Sequence, residues 1–494
     1  MLGMRPPVLE LAKVLVLALL VAGCAALPAG ERTVPPRDAH ELARCEQLYA
    51  AADAAVAGAG VGDAQDARVE GFRYLRVNRT LAAIARDDLH DEAFHSWVES
   101  LAALDRTARA YELANLGPQA SERFPLKELR ACATKLREAD LADPATRQLM
   151  RSRARVPDDY ELWQRVVGVY PLTMLPFSAG VSAWQRRTTK IFAQPFEHLP
   201  VAGRRVRYEP ANMARVDAAD AQPPFQGAHD DPLGMPLPHA ATLQRLLVAY
   251  APAFEVDEMD EHDRIGAPTW GQGGRIEVDT ARPTVFSRVA HTRYRGTTLL
   301  QLVYAVWFPS RPREPGIDLL GGHLDGLIWR VTLSRDGLPL VYDTIHNCGC
   351  YHLFFPTARA ELLAQPATLE EVAFAPQRLP AVAPGEQLTV HIAARTHYIR
   401  RITIESPATG ERRGYVMAAD DELRSLPRPE GGRRSLFGPD GIVAGTSRGE
   451  RFFFWPMGVR DPGAMRQWGR HATAFVGRRH FDDADLVERY FVFP

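Results

Sequence analysis

The chain has 494 residues, 46% of them hydrophobic and 24% charged, with a formal net charge of −1. That length exceeds one typical core and points to two or three domains. The near-neutral charge offers no electrostatic attraction for nucleic acid. Beyond the N-terminal segment, no stretch is long and apolar enough to cross a membrane as a helix.

In chain order, Arg5 and Lys13 come first, followed by an unbroken apolar run from Val14 to Ala22. The run is too short to span a bilayer and suits the apolar core of a signal peptide. It leads into "VAGC", residues 21–24. This stretch resembles the lipobox of bacterial lipoproteins, a resemblance confined to the N-terminal segment. It implies removal of residues 1–23 and a lipid on Cys24, hence a membrane partner through that lipid. With alanine rather than aspartate at position 25, it implies the inner leaflet of the outer membrane, facing the periplasm. The alternative is an ordinary secretory signal with a chance cysteine. Residues 24–39, rich in proline, alanine and charge, read as a tether.

Residues 40–150 read as a helical domain. Segments such as "AHELARCEQLYAAADAAVAGA", "RYLRVNRTLAAIARDDL" and "PLKELRACATKLREADL" space apolar residues three and four apart among good helix formers. Cys45 and Cys132 fall in the first and last of these helices, and a bridge between them is expected. The chain has 5 cysteines. With Cys24 set aside, Cys348 and Cys350 remain, and an oxidising compartment makes unpaired exposed thiols a liability. Residues 151–250 are a mixed connecting region. Its helix beginning at "DDYELWQRVVGVY" is expected to be capped by Asp158 or Asp159.

Residues 251–494 read as a β-rich domain, sandwich or barrel-like. Segments such as "TTLLQLVYAVWFPSR" and "QLTVHIAARTHYIRRITIES" are rich in β-branched and aromatic residues, and "SRDG" marks a hairpin. "ERFFFWP" also reads as a strand. The fold class expected is therefore α+β and multidomain, with helices in the N-terminal part and strands in the C-terminal part.

Within that half, "YDTIHNCGCYHLFFP", residues 342–356, concentrates potential ligands. If it is extended, His346, Cys348, Cys350 and His352 share one face. A flat strand spreads them over roughly 20 Å, too far for one metal ion. A Cys348–Cys350 disulfide bent at Gly349 is the favoured reading, ahead of a metal site and of plain burial.

Upstream, "GGHLDG" carries His323 and Asp325; downstream, "HIAARTHYIRR" carries His391, Arg395 and His397. His-x-Asp with a distant histidine resembles the ligand pattern of iron/2-oxoglutarate oxygenases, a likeness limited to that triplet. It implies a β-sandwich-like barrel, with Arg400 or Arg401 binding an acidic co-substrate. The same pair also reads as a turn with a hydrogen-bonded carboxylate.

Three further stretches carry less. "GTSRG", residues 445–449, fits G-x-S-x-G, but without the strand-turn-helix context Ser447 reads as a polar turn. "DEMDEHDRIG", residues 257–266, reads as a solvated acidic loop. The arginines Arg466, Arg470, Arg478 and Arg479 are expected to pair with carboxylates rather than to line an anion pocket.

The sequence thus supports an envelope lipoprotein with a site in its β-rich domain. The expected metal set is His323, Asp325, His346, His352 and His397, beside Cys348 and Cys350, with zinc or iron serving hydrolytic or oxidative chemistry. Arg395 and Arg400 are the candidate ligand-binding residues. The rival reading is a non-catalytic protein that binds a small-molecule ligand or an envelope partner and is stapled by disulfides.

Overall fold

A computed structural model describes residues 39–211, 231–316, 318–365, 368–380, 387–404 and 410–493. The expected signal segment and tether, with Cys24, fall almost wholly on residues 1–38 and lie outside the described residues. Helices dominate the first part and strands the second, an α+β layout.

The helical part comprises Ala39–Ala59, Arg79–Ile84, Asp91–Leu116, Pro118–Arg123, Leu126–Leu141 and Pro144–Arg153. It encloses a hairpin of β1 (Ala67–Val69) and β2 (Phe72–Val77). The helix expected over "RYLRVNRTLAAIARDDL" is therefore a strand followed by a short helix. Phe72, Tyr74, Leu75 and Val77 are buried, which suits a pleated strand. Asn78 then starts the helix, its Oδ1 accepting from the Leu81 N–H at 2.9 Å. Arg76 is fully buried in β2, and its guanidinium donates to Asp105 at 3.3 Å and Glu112 at 2.6 Å. A buried arginine is tolerable only with such partners.

Cys45 and Cys132 are joined by a disulfide that closes a sequence separation of 87 residues. On the chain-entropy account a loop of this size contributes about 4–5 kcal/mol. The double variant Cys45→Ser/Cys132→Ser is expected to lose roughly that much in urea denaturation. A loss below about 1 kcal/mol would show that helix packing alone constrains this segment.

The strands that follow are β3 (Arg204–Pro210), β4 (Ala253–Glu258), β5 (Ala267–Trp270), β6 (Ile276–Asp279), β7 (Thr284–Tyr294) and β8 (Thr297–Arg311). Next come β9 (Gly322–Leu333), β10 (Pro339–His346), β11 (Leu353–Pro356), β12 (Glu361–Leu362), β13 (Leu388–Ile392), β14 (Ile399–Ile404) and β15 (Glu411–Ala419). Ten of them form one mixed sheet in the order β11-β10-β9-β8-β7-β15-β3-β4-β13-β14. The "SRDG" turn joins β9 to β10, with Gly337 at φ 78°.

The sheet curls into a half-barrel. Tyr342 and Phe355 near one edge share an apolar cluster with Ile392 and Ile399 at the other. Strand twist accumulated over ten strands brings the edges round in this way. The outer face packs Trp307, Ile328 and Ile345 against Phe437, Val443 and Met465 of the C-terminal segment.

Two further local expectations are corrected. "ERFFFWP" is a short helix, Arg451–Phe454, followed by a 3-10 turn. Its Phe452 and Phe453 are exposed, so it has no apolar face to add to a sheet. The helix Leu162–Val167 is preceded by Glu161, and neither aspartate caps it. Asp158 and Asp159 instead meet Arg478 and Arg470, with Arg470 at 2.9 Å.

Candidate functional site

The stretch "HNCGCYH" is not a strand. β10 ends at His346 and β11 begins at Leu353, so these residues form the turn between them. The Gly349 N–H donates to His346 O at 2.7 Å, and the His346 N–H donates to Cys350 O at 3.0 Å. Gly349 sits at φ 95°, and a Cβ there would lie 2.4 Å from Ala472 O. Both facts require glycine. Arg466 holds the turn from outside, its Nε donating to Cys348 O at 3.2 Å.

Asp325 is the polar centre of the half-barrel and is fully buried. Leu324 before it takes φ 53°, a kink in β9. His397, in the β13–β14 turn, donates from Nδ1 to Asp325 Oδ2 at 2.8 Å and stacks on Phe308 of β8 at 3.9 Å. His346 approaches Asp325 Oδ1 at 3.6 Å through Nδ1, beyond hydrogen-bond length. Arg448 donates to the same Oδ1 at 3.2 Å and to Leu324 O at 2.9 Å. Behind His397, Asp263 lies 3.5 Å from Nε2.

The two histidines are driven in opposite directions. Burial lowers the His346 imidazole, and the nearby Asp325 does not restore it, so it is neutral at pH 7. Burial opposes charge on His397 as well, but Asp263 and Asp325 on either side raise it above the ordinary imidazole value. For Asp325, burial is outweighed by Arg448 and the two histidines, which hold the carboxyl well below the usual range.

Of the residues expected at a metal, Asp325, His346 and His397 therefore meet, and two do not join them. The His323 Nε2–H donates to Ile276 O at 2.8 Å. His352 pairs through Nε2 with Asp343 Oδ2 at 2.8 Å. Both Asp325 oxygens are already engaged, one of them by a guanidinium. Among the described residues no three His, Cys, Asp or Glu side chains are arranged to hold a metal ion.

Arg395 pairs with Glu314 at 2.8 Å, Arg400 with Asp257 at 2.6 Å, and Arg401 donates to the Gln194 carbonyl. The acidic segment is not a solvated loop: Asp257, Glu258 and Asp263 are buried. Its carboxylates accept from Met259 N at 2.8 Å, Tyr208 Oη at 2.5 Å and Arg413 at 2.9 Å, which makes burial affordable. Ser447 donates to Asp461 at 2.5 Å, away from any histidine contact.

Cys348 and Cys350 carry free thiols. They are in contact, and the hydrogen bond from Cys350 lowers the Cys348 thiol while the Cys350 thiol is pushed up. Cys348 is buried in the outer core. Cys350 lines a cavity of about 440 Å³, within the roughly 300–1,000 Å³ of small-molecule sites.

The cavity lies between the turn and the helix Tyr170–Ala193. That helix has only Thr188 and Phe192 buried and carries no charge from Tyr170 to Gln185. Phe177 meets Phe454 at 5.1 Å, and Trp184 meets Tyr351 at 5.5 Å and Phe374 at 5.6 Å. Opposite this roof stand Tyr351, Tyr398 and Glu450. His346 does not line the cavity; it touches the rings of Tyr351 at 5.0 Å and Tyr398 at 5.6 Å.

Glu450 is 3% exposed. Its carboxyl has no hydrogen-bond or ion-pair partner among the described residues. A Cβ on Gly463 would lie 1.9 Å from its Oε1, so only glycine fits behind it. Burial raises it to about 7, against Arg448 and Arg311. Nothing in "GTSRGERFFFWP" marks Glu450 out, and Asp263 was equally hidden in its acidic run.

Nine of the sixteen exposed large apolar side chains among the described residues fall in two stretches, residues 162–175 and 452–453. They are Leu162, Trp163, Val166, Val167, Val169, Leu172, Leu175, Phe452 and Phe453. Pro176, Phe177 and Phe454, next to them in sequence, line the cavity itself. No described helix is long and apolar enough to cross a membrane. Set against protein-family models, curated proteins and solved structures, the chain matches none.

Proposed function

We propose that this is a periplasm-facing lipoprotein, anchored through Cys24, that binds an amphipathic small molecule in the cavity beneath the helix Tyr170–Ala193. The observation that carries this reading is the mixed lining of the cavity. Phe177, Phe374, Phe454 and Phe475 suit an apolar group, while Tyr351, Tyr398, Cys350 and Glu450 present polar atoms in the same wall. The exposed apolar side chains of residues 162–175 and 452–453, adjacent in sequence to lining residues Pro176, Phe177 and Phe454, suit a ligand that arrives from a lipid surface. The half-barrel is the ligand-holding domain, and the N-terminal helices brace it. Binding is favoured over metal-dependent catalysis on geometry. Arg448 occupies the face of Asp325 that a cation would need, and His346 reaches the cavity only through two tyrosine rings.

Gly180 supplies the test. It lines the cavity from the roof helix, and a Cβ there meets nothing within 4 Å. The full chain is expected to bind the apolar fluorophore N-phenyl-1-naphthylamine with a rise in emission. Gly180→Trp, which fills the space, is expected to weaken that binding at least tenfold while far-ultraviolet circular dichroism stays unchanged. Undiminished binding by a folded Gly180→Trp protein would sink the assignment of the cavity.

A further inference from the structure

We infer that the ligand is an organic cation, an amine or quaternary ammonium carried on an apolar chain, whose head lies against Glu450 and the rings of Trp184, Tyr351 and Tyr398. This rests on the cavity reading above and names the chemistry of its polar end.

A carboxyl that is 3% exposed and lines a cavity without any partner is unusual, because buried polar groups are nearly always satisfied. Leaving it so costs stability that a ligand would recover. Around it, Tyr351 and Tyr398 stand edge to face at 4.6 Å, and Trp184 closes on Tyr351 at 5.5 Å. Aromatic faces beside a carboxylate are the pattern that holds ammonium groups. On the apolar side, Phe177, Phe454 and Phe475 form a mutual cluster that suits the chain.

The charges facing Glu450 are already committed. Arg448 is held by Asp325 at 3.2 Å and by Leu324 O. Arg311 lies over the Tyr398 ring at 5.0 Å and donates to its hydroxyl at 3.3 Å. Asp325 is saturated, and Asp318 accepts from the Glu314, Leu320 and Gly321 N–H groups. On the cavity wall, Arg479 is tied to Thr473 and to the Glu371 and Val372 carbonyls, and Glu371 accepts from Phe475 N and Val476 N. His352 is bound to Asp343. Arg187 is exposed, so its charge is screened by solvent. An anionic head inside the cavity would find Arg448, Arg311 and Arg479 engaged and would face Glu450. A cationic head finds an open acceptor.

Burial keeps Glu450 near 7, so a cation that requires the carboxylate must compete with a proton below that value. Affinity for it is expected to rise about tenfold from pH 6 to pH 8 and then level off.

The experiment is displacement of N-phenyl-1-naphthylamine from the full chain by dodecyltrimethylammonium, 1-dodecanol and dodecanoate, each from pH 6 to pH 8.5. The ammonium is expected to displace the probe at a concentration at least tenfold below the alcohol at pH 8, and to lose most of that advantage at pH 6. Glu450→Gln is expected to bring the two within twofold of each other. Equal displacement by ammonium and alcohol, a preference for dodecanoate, or an ammonium preference independent of pH would each overturn the inference while leaving the cavity reading intact. Failure of all three amphiphiles to displace the probe would overturn both. The pH profile of the unmodified chain decides the matter even where Glu450→Gln fails to fold.

Discussion

Exchanging Asp343 for alanine is expected to destabilise the protein by about 3–5 kcal/mol at neutral pH. Arg330 is 1% exposed, and Asp343 answers it twice: Nε donates to Oδ1 at 2.9 Å and Nη2 to Oδ2 at 2.5 Å. His352 shares the same Oδ2 at 2.8 Å. The alanine variant leaves a buried guanidinium without its counter-charge and an imidazole without its acceptor. Desolvation was met in the folded chain by that pairing, so the loss is that of an orphaned charge, not of one contact. The double variant Arg330→Met/Asp343→Leu removes both charges and is expected to recover most of the loss. Urea denaturation of the two proteins measures the contrast. A single-variant loss below about 1 kcal/mol would show that solvent reaches Arg330.

Unfolding between pH 6.5 and 3 is the second large effect. His352 and His471 are both pushed down to about 3, chiefly by burial. Their unfolded value is about 6.5. Between those limits the unfolded chain binds protons that the folded chain refuses, so stability falls as pH falls. The ceiling is about 4–5 kcal/mol for each histidine, and two of them approach the roughly 5–15 kcal/mol of a typical folded protein. His397 and His480 act with the opposite sign. Their raised values make a contribution that is complete below 6.5 and is lost as pH rises through their folded values. Maximum stability is therefore expected near neutrality. His471→Gln keeps a donor for Asn347 O, which His471 Nε2 now meets at 3.2 Å. It is expected to lower the acid midpoint and to reduce proton uptake on unfolding by about one. An unchanged midpoint would mean that another group sets the acid limit.

The sequence by itself determined the α+β order, because that order rests on local signals. Apolar residues three and four apart mark the helices Asp91–Leu116 and Leu126–Leu141, and runs of Val, Ile, Tyr and Trp mark β8, β9 and β13. Even these signals fail where two periods compete, as over residues 72–77, where helical spacing coexists with the strand β2 and the helix starts only at Asn78.

Only the tertiary structure decided the site. His346 stands on β10, Asp325 on β9 and His397 beside β13, eight places along the sheet order from β11; they meet because a twisted ten-stranded sheet curls into a half-barrel. A strand pattern cannot report that curling, since its period records only which face a residue takes. The same limit hid the thiol turn, whose reversal at Gly349 depends on the close approach of Ala472 O. It hid Glu450 more fully, because a carboxyl becomes a candidate site only when neighbours distant in sequence bury it and leave it unanswered.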